Sequence, residues 1–522
     1  MKRIIIPLIT MGLLTILFLT SIVKKSVEPT PLADLKEQFT KKKQPPSVDH
    51  TKFSQLKKKF SRPQDVTAAC NECHTERHTE VMKSSHWNWE REEYIEGRGI
   101  RYVGKKNILN NFCIGISSNE QSCNKCHIGY GWNSPSFDFN NPNNVDCLAC
   151  HDNSNTYTKQ SGGAGMPDPS VNLTYVAQHV GKPTKANCGT CHFFGGGGNN
   201  VKHGDLEKTL FDATRDVDVH MASDGVNLEC ISCHKTEKHQ MLGKVYSLSS
   251  MNRNRSTCEQ CHTETPHKSD VLNEHTLKVA CQTCHIPEYA KVNSTKMRWD
   301  WSTAGQLKNG EPFEIKDSLG DEVYMSIKGS FVWKRNVQPD YVWFNGTASH
   351  YLLGDTITPT APIQMNTLHG SYADPEAKII PVKIHRTKQI YDPVYKMIIQ
   401  PKTFAIKKGE GGFWKDFDWV QASEKGMESV NLPFSGKYTF VETEMYWPIN
   451  HMVSPKNNSL QCNSCHTRDH SRLANLRDFY MPGRDYNASV EFLGTGAIVL
   501  TLLGVIGHAS LRIVSKRKNG KG

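Results

Sequence analysis

The chain has 522 residues, of which 37% are hydrophobic and 9% aromatic, and its formal net charge is +11. The length is sufficient for two or three domains, but the low apolar share, 38 glycines and 25 prolines predict a modest protein core with long irregular stretches. Such a charge can indicate nucleic-acid binding, but we expect no nucleic acid, because the cysteine motifs described below account for the basic residues in another way.

The N-terminus carries an export signal or an uncleaved signal anchor. Met1–Arg3 precedes an uncharged run from Ile4 to Val23, and Lys24 and Lys25 follow it. The run is long for a cleaved signal and no small-x-small site follows it, which favours a retained anchor over a cleaved peptide. Residues 1–25 are assigned to this signal, and residues 26–66 to a basic, proline-bearing tether with little core of its own.

The cysteines decide the class of protein. Sixteen of the 17 cysteines lie in C-x-x-C pairs, and a histidine follows each pair directly. Two cysteines at this spacing lie on one side of a helical turn, where they can add to the two vinyl groups of one haem, and the histidine becomes the proximal iron ligand. Zinc sites are the alternative, but zinc requires no histidine after every second cysteine. The triplets are Cys70-Cys73-His74, Cys123-Cys126-His127, Cys147-Cys150-His151, Cys188-Cys191-His192, Cys230-Cys233-His234, Cys258-Cys261-His262, Cys281-Cys284-His285 and Cys462-Cys465-His466.

The motifs predict eight covalently bound haem c groups with their irons. Seven motifs lie in residues 67–290, which we expect to form short helices and irregular chain. Haem c is attached outside the cytoplasm, in agreement with an export signal. The haem propionates pair readily with basic side chains, and buried porphyrins supply apolar bulk, so both the positive charge and the thin protein core are explained.

Residues 291–455 contain no motif and have a different character. Aromatic and β-branched runs such as Val323–Ile327, Phe331–Trp333 and Lys378–Ile384 predict several short strands. The eighth motif follows within residues 456–488, so this segment should fold back onto the other haems. The predicted fold class is a multihaem cytochrome c: mainly α with much irregular chain and some short β-strands, with a haem-packed core in one composite domain plus terminal membrane helices.

The C-terminus predicts a second membrane segment. Phe492 to Leu511 contains no Asp, Glu, Lys or Arg, which favours a transmembrane helix over 489–512, and the basic residues 513–522 form a cytoplasmic tail. A buried globular helix is the alternative. We therefore expect the protein in the cytoplasmic (inner) membrane of a prokaryote, with the haem-bearing body facing the periplasm or the outside.

Histidines outside the motifs are candidates for the second, distal face of each iron. Two histidines saturate an iron and leave a haem that only passes electrons, whereas a catalytic haem needs an open or weakly held face. His50 in the tether and His508 in the membrane segment are not expected to be ligands. The weaker candidates are His78, His350, His369, His385 and His470. The stronger candidates are His86, His179, His203, His220, His239, His267, His275 and His451.

Several segments resemble the octahaem tetrathionate reductase family of c-type cytochromes. The Gly-rich segment Cys188–Leu206, which contains Gly195–Gly198 and Lys202-His203, is the most specific of them. Val279–Pro287, Glu444–Val453 and Tyr480–Arg484 are similar to the family as well, and the match in motif number and order covers about residues 70–485. Known family members that are soluble periplasmic proteins lack a C-terminal membrane segment of the kind predicted here.

The resemblance implies a particular active site. In that family seven haems have two histidine ligands, and the eighth, active-site haem has a distal lysine, for which Lys202 stands at the matching position. The haem of the second motif, with proximal His127, is the expected site, and the family places an asparagine and a free cysteine beside it. Asn110 and Cys113 fit that spacing. No motif here has the C-x-x-C-K form of the pentahaem and octahaem nitrite reductases.

The leading functional hypothesis is an oxidoreductase that reduces a small oxidised inorganic substrate at the Lys202 haem. Tetrathionate is the family's named substrate, and nitrite and hydroxylamine are chemically close. A membrane quinol or a membrane cytochrome is the expected electron donor, and a homo-oligomer is compatible with the sequence. A non-catalytic electron-transfer conduit in an anaerobic respiratory chain is the main alternative, and oxidation in the manner of hydroxylamine oxidoreductase is a weaker one.

Overall fold

The computed structural model describes residues 48–112, 115–243 and 249–518. The chain divides into two compact units, residues 1–459 and 460–522, which are described in turn. The N-terminal signal, the first part of the tether and Cys113 lie outside the described residues.

The first unit contains short helices, as predicted for the region that bears the motifs. Most are one or two turns long, and a C-x-x-C-H motif occupies or ends many of them, because a single helical turn brings the two cysteines to one side. The 3₁₀-helices are His50–Lys52, Ser54–Leu56, Asn124–Cys126, Pro142–Asn144, Lys208–Asp212, Cys258–Gln260, Trp301–Thr303 and Lys456–Asn458. The α-helices are α1 Pro63–Cys73, α2 Arg77–Met82, α3 Ser85–Asn88, α4 Glu120–Cys123, α5 Leu148–His151, α6 Leu173–Gln178, α7 Lys185–His192, α8 Cys230–Cys233, α9 Asp270–His275, α10 Cys281–His285, α11 Phe413–Asp416 and α12 Trp419–Glu428.

The strands of the first unit are concentrated in the motif-free region, where β-branched and aromatic residues are frequent. Two small hairpins precede it. The strands are β1 Arg91–Ile95, β2 Gly99–Val103, β3 Thr236–Glu237, β4 Gln240–Met241, β5 Thr295–Asp300, β6 Leu307–Lys308, β7 Glu311–Pro312, β8 Glu314–Lys316, β9 Glu322–Met325, β10 Gly329–Lys334, β11 Asp340–Phe344, β12 Ala348–His350, β13 Ile363–Gln364, β14 Asn366–Leu368, β15 Lys378–Asp392, β16 Met397–Ile398 and β17 Thr439–Pro448.

Nine of these strands form one mixed sheet with the order β13-β17-β15-β5-β10-β9-β8, and β11 and β16 also pair with β15. Strand β15 is 15 residues long, pairs antiparallel with β17 from Val382↔Pro448 to Tyr391↔Thr439, and pairs parallel with β5 at Arg386↔Arg298. The predicted combination of helices, irregular chain and strands is confirmed, and the strands form a larger sheet than the short runs suggested.

The largest protein core packs on this sheet. It is rich in aromatic side chains, among them Trp299, Trp301, Phe331, Phe413 and Trp447, each of which is almost fully buried. The haem-dense region has only small apolar clusters. This division agrees with the expectation that porphyrins, and not side chains, supply much of the apolar bulk around the motifs.

The last part of the predicted tether belongs to the folded unit. Leu56 and Phe60 are buried against Val66 of helix α1 and Val176 of helix α6. The expectation that residues 26–66 have little core of their own is therefore wrong for their C-terminal part, because two apolar side chains among the lysines are sufficient to dock it.

The second unit contains the eighth motif on helix α13, Cys462–Cys465, and the 31-residue helix α14, Ala488–Lys518. Between them the buried guanidinium of Arg484 donates to the carbonyl oxygens of Leu473 and Phe479 and so holds the loop closed. Helix α14 is long and apolar enough over Ala488–Lys516 to cross a membrane.

Candidate haem-binding sites

Each motif histidine is held close to its cysteines by the local helical turn. In five motifs the backbone N–H of the histidine donates to the backbone carbonyl of the first cysteine at 2.8–3.1 Å. His74 donates to Cys70 in this way, and His466 to Cys462. A bond of this kind closes one turn around the pair of cysteines and places the imidazole beside them. The geometry agrees with covalent attachment of one haem at each motif.

Six motif histidines of the first unit face a histidine from outside the motifs. A metal–nitrogen bond is about 2.0 Å long, so two imidazoles on opposite faces of one iron have centroids about 6 Å apart. The observed separations, 6.1–6.5 Å, therefore fit a bis-histidine haem. The pairs are His50–His74, His86–His192, His151–His239, His220–His262, His234–His451 and His267–His285.

The pair at the first motif corrects the sequence-based view of His50. That histidine was excluded because it lies in the tether, but its ring stacks opposite His74 with centroids 6.5 Å apart. Asp49 caps the short helix that begins at His50 and accepts a bond from the N–H of Thr51. In the sequence, a helix-capping aspartate directly before His50 is the one local signal that this part of the tether is ordered.

Five of the stronger distal candidates, His86, His220, His239, His267 and His451, lie opposite a motif histidine. The other three are placed differently. Within the described residues, His179 stacks on Tyr175 and His203 lies against Trp447, with no motif histidine opposite either ring. His275 ends helix α9, and its Nδ1 lies 2.6 Å from the carbonyl oxygen of Val271. Ligation of iron by these three residues stays a prediction.

Hydrogen bonds at Nδ1 orient several of the paired rings. Nδ1 of His151 donates to the carbonyl of Gly181 at 2.8 Å, and Nδ1 of His234 to that of Leu242 at 2.9 Å. When Nδ1 carries the proton, the lone pair lies on Nε2, and Nε2 can then coordinate a metal. Burial lowers the pKa of His192 to about 3, so its imidazole is neutral, as a metal ligand has to be.

Two distal candidates donate to carboxylates instead. Nδ1 of His239 lies 2.8 Å from Glu80, and Nδ1 of His451 lies 3.1 Å from Asp205. Asp205 is 1% exposed. Its burial opposes ionisation, but the hydrogen bond and charge of His451 outweigh burial and lower the pKa of the Asp205 carboxyl. The same bond raises the pKa of His451 against the opposite effect of burial.

The second motif differs from the other six of its unit. Among the described residues no histidine ring lies about 6 Å from His127, which is enclosed instead by five aromatic rings. Its Nε2 lies 2.6 Å from the carbonyl of Trp87, and burial lowers its pKa to about 3. The neutral ring therefore donates through Nε2 to the carbonyl oxygen of Trp87.

Trp447, near the end of strand β17, brings together the segments predicted to form the active site. Its ring lies 4.6 Å from Nζ of Lys202, and its centroid lies 5.1 Å from that of His203 and 5.6 Å from that of Phe112. Asn110 precedes Phe112, and its Oδ1 accepts the backbone N–H of that residue at 2.8 Å. The loop that contains Asn110 and the loop that contains Lys202 therefore meet at the same side chain.

The second and fourth motifs are neighbours. The side chains of Cys126 and Cys191 interact, and His86, which faces His192, directly precedes the Trp87 that bonds His127. Lys202 is near enough to His192 to disfavour its protonation. Lys202 thus lies near the fourth motif, which adjoins the second, and its ligation of the second-motif iron stays a prediction.

Other motifs also adjoin one another. The side chains of Cys188 and Cys230 interact, which places the fourth motif beside the fifth. The side chains of Cys258 and Cys281 interact as well, which places the sixth motif beside the seventh. Haems attached at these positions would therefore be neighbours.

Comparison with known proteins agrees with this geometry. The family described as bacterial cytochrome c matches residues 296–469. An uncharacterised protein of Archaeoglobus fulgidus is 24% identical over 245 residues, which is 37% of this chain and 80% of that protein. The crystal structure of the octahaem cytochrome c from Shewanella oneidensis is 45% identical, with a TM-score of 0.76, over 81% of this chain and 95% of that one.

The identity and the near-complete coverage of the solved protein exceed what a shared fold alone would give. Together with the motif turns and the facing histidines, they establish covalent haem c as the cofactor and electron transfer as the general chemistry. The chain belongs to the multihaem c-type cytochromes, in the family of the Shewanella oneidensis octahaem cytochrome c.

Proposed function

We propose that the protein is a membrane-anchored octahaem cytochrome c that reduces a small oxidised inorganic substrate, tetrathionate first among the candidates. In this proposal the second-motif haem is the active site, with proximal His127 and distal Lys202. Six haems with two histidine ligands, together with the eighth, carry electrons to it. The resemblance to the tetrathionate reductases supplies the substrate class and the choice of haem, and the placement of the histidine rings supports that choice.

One observation carries the proposal. Of the seven motif histidines in the first unit, only His127 has no histidine facing it among the described residues. A haem saturated by two histidines passes electrons, whereas a substrate needs an iron face that it can reach. The second-motif haem is therefore the best candidate in that unit for chemistry on a substrate.

The residues around this haem suit the reduction of a small anion. An iron with an exchangeable face supplies a point at which a bound anion can take up electrons. Lys202 can occupy that face only as the neutral amine, and burial beside a cationic centre favours this form. The amide of Asn110 can donate to an anion, and the Cys113 thiol suits sulfur exchange. Tetrathionate that takes up two electrons splits at its central S–S bond into two thiosulfates.

Anaerobic turnover with a reduced dye tests the function. Tetrathionate, nitrite and hydroxylamine are supplied in turn, and oxidation of the dye is followed by absorbance. We expect turnover of tetrathionate at the highest rate. No turnover of any of the three substrates would refute the proposed reductase and favour the electron-transfer conduit.

Replacement of the distal ligand tests the site. The variant Lys202→His offers the second-motif iron a second imidazole, and we expect it to lose turnover while all eight haems stay bound. Electron paramagnetic resonance of the wild type should show one lysine-type or high-spin haem among bis-histidine haems. If Lys202→His retains activity, the active site has been assigned to the wrong residue.

Anchoring in the cytoplasmic membrane is part of the proposal. Two residues past the eighth motif histidine, Arg468 contacts both carboxylate oxygens of Glu491 at 2.9 Å and stacks on Tyr486 at 4.4 Å. Glu491 lies in the first turn of helix α14, directly before the apolar run. The eighth motif is therefore tied to the start of this helix, where a membrane quinol or cytochrome can deliver electrons, and the basic tail favours a cytoplasmic end.

A further inference from the structure

Lys383 is a buried lysine in the middle of strand β15 that contacts the loop of Lys202. Its Nζ donates to the carbonyl of Val201 at 2.8 Å, to the carbonyl of Lys202 at 3.1 Å and to the hydroxyl of Thr295 at 2.6 Å. The side chain is 0% exposed. Three oxygen acceptors match the three N–H donors of an ammonium group, so the site is built for a lysine.

Thr295 extends this set of bonds by one residue. Its hydroxyl accepts from Lys383 and donates to the carbonyl of Asn200 at 2.6 Å. Three consecutive carbonyls, those of Asn200, Val201 and Lys202, are therefore held by two side chains of neighbouring strands, β5 and β15. The first two of these carbonyls belong to buried residues, as do both side chains, and an unmet hydrogen bond away from water is costly.

The loop needs such support because of its composition. Gly195–Gly198 precede Lys202, and glycine loses more backbone freedom on ordering than any other residue. On the other side, Gly204 has φ +89°, and a Cβ there would lie 2.7 Å from the ring of Tyr289 and 3.3 Å from Cδ of Lys383. The backbone around Lys202 thus packs directly against the Lys383 side chain.

We propose that Lys383, together with Thr295, is a positioning residue that fixes the backbone from which Lys202 reaches the second-motif haem. The inference rests on the proposed function, in which Lys202 is the distal ligand. Lys383 bonds carbonyl oxygens of the loop that contains Lys202, so it acts on ligation through that loop. Without it, the flexible glycine segment would let the long Lys202 side chain sample many positions, and ligation would weaken.

The variant Lys383→Met tests the inference in the full-length, haem-loaded protein. Methionine keeps the length of the side chain and removes its three N–H donors. We expect electron paramagnetic resonance to show loss of the lysine-type signal of one haem and growth of a high-spin signal, with the bis-histidine signals unchanged. A lysine-type signal of wild-type intensity in this variant would overturn the proposal.

A pair of variants at Thr295 keeps the test decisive if Lys383→Met does not accumulate. Thr295→Val preserves the shape of the side chain and removes the hydroxyl, whereas Thr295→Ser retains the hydroxyl. We expect the valine variant to lose part of the lysine-type signal and the serine variant to keep it. Equal signals in the two variants would contradict the proposed role of the hydroxyl and of the lysine bonded to it.

Lys291→Met is the matched control. Lys291 is a half-buried lysine that donates to the carbonyls of Val217 and Met452 and to the hydroxyl of Ser454. Lys291 holds the loop that contains Met452 and Ser454 and makes no bond to the carbonyls of residues 200–202, so we expect its replacement to leave the lysine-type signal intact. If Lys291→Met removes the signal as Lys383→Met does, the loss reflects general destabilisation and the positioning role is wrong.

The wild-type spectrum separates failure of this inference from failure of the proposed function. A wild type without any lysine-type or exchangeable haem refutes the proposed active site, and the positioning role falls with it. A wild type with the signal, joined to variants at Lys383 and Thr295 that all keep it, refutes the positioning role alone.

Discussion

Replacement of Asp205 by asparagine should raise the reduction potential of the fifth-motif haem. Oδ2 of Asp205 lies 3.1 Å from Nδ1 of His451, and the rings of His451 and His234 are 6.4 Å apart with room for one iron between them. The buried carboxylate stabilises the ferric state, both by its charge and by making the imidazole a stronger donor. Removal of the charge therefore favours the ferrous state.

The size of the shift follows from this geometry. Through the imidazole the carboxylate lies roughly 7 Å from the iron, and one unit of charge at that distance is worth about 2.4 kcal/mol at an effective dielectric constant of about 20. For a one-electron couple this corresponds to about 100 mV, since about 59 mV accompanies a tenfold change in equilibrium constant. Asparagine keeps a hydrogen-bond acceptor, so we expect about 50–100 mV upwards.

Potentiometric titration followed by absorbance and electron paramagnetic resonance measures the shift. The carboxylate also accepts the backbone N–H groups of Asn450 and His451, which the oxygen of an asparagine can still accept, so the loop should stay folded. Glu80→Gln is the control, because Glu80 contacts His239 in the same way but is 17% exposed and bonded to Arg77, which predicts a smaller shift. A potential that stays constant or falls in Asp205→Asn would refute the reasoning.

Three further predictions follow from other contacts. His50→Ala should convert the first-motif haem to a high-spin state in the absorption spectrum, since it removes the facing imidazole; an unchanged spectrum would exclude His50 as a ligand. Lys159→Met should destabilise the protein by about 3–5 kcal/mol in chemical unfolding, because it leaves the Asp146 carboxylate buried without the cation that now lies 2.7 Å away. Lys316→Met is the control: it removes an exposed ion pair and should cost at most about 1 kcal/mol. Truncation after Asn487 should release the protein from membranes on fractionation, and a truncated protein that stays with the membranes would argue against anchoring by helix α14.

The haem motifs and the terminal apolar helix could be predicted because their signals are local. Five distal candidates also lie opposite a motif histidine, as expected for histidines that follow or precede haem motifs closely. His50 was missed because the lysines and prolines around it resemble a linker, and only the burial of Leu56 and Phe60 shows that the segment is docked. The extent of the sheet was underestimated because a strand buried on both faces, such as β15, has no alternating pattern to mark it.

The amino-acid sequence by itself determined where haem is attached, because two cysteines and a histidine on one helical turn need no other part of the chain. Tertiary structure decided which histidine faces which motif histidine and which residues support these rings. His451 meets Asp205 across 246 residues, and Lys383 meets the Lys202 backbone across 181. Contacts of this kind depend on how strands and loops pack, and no spacing in the sequence encodes them.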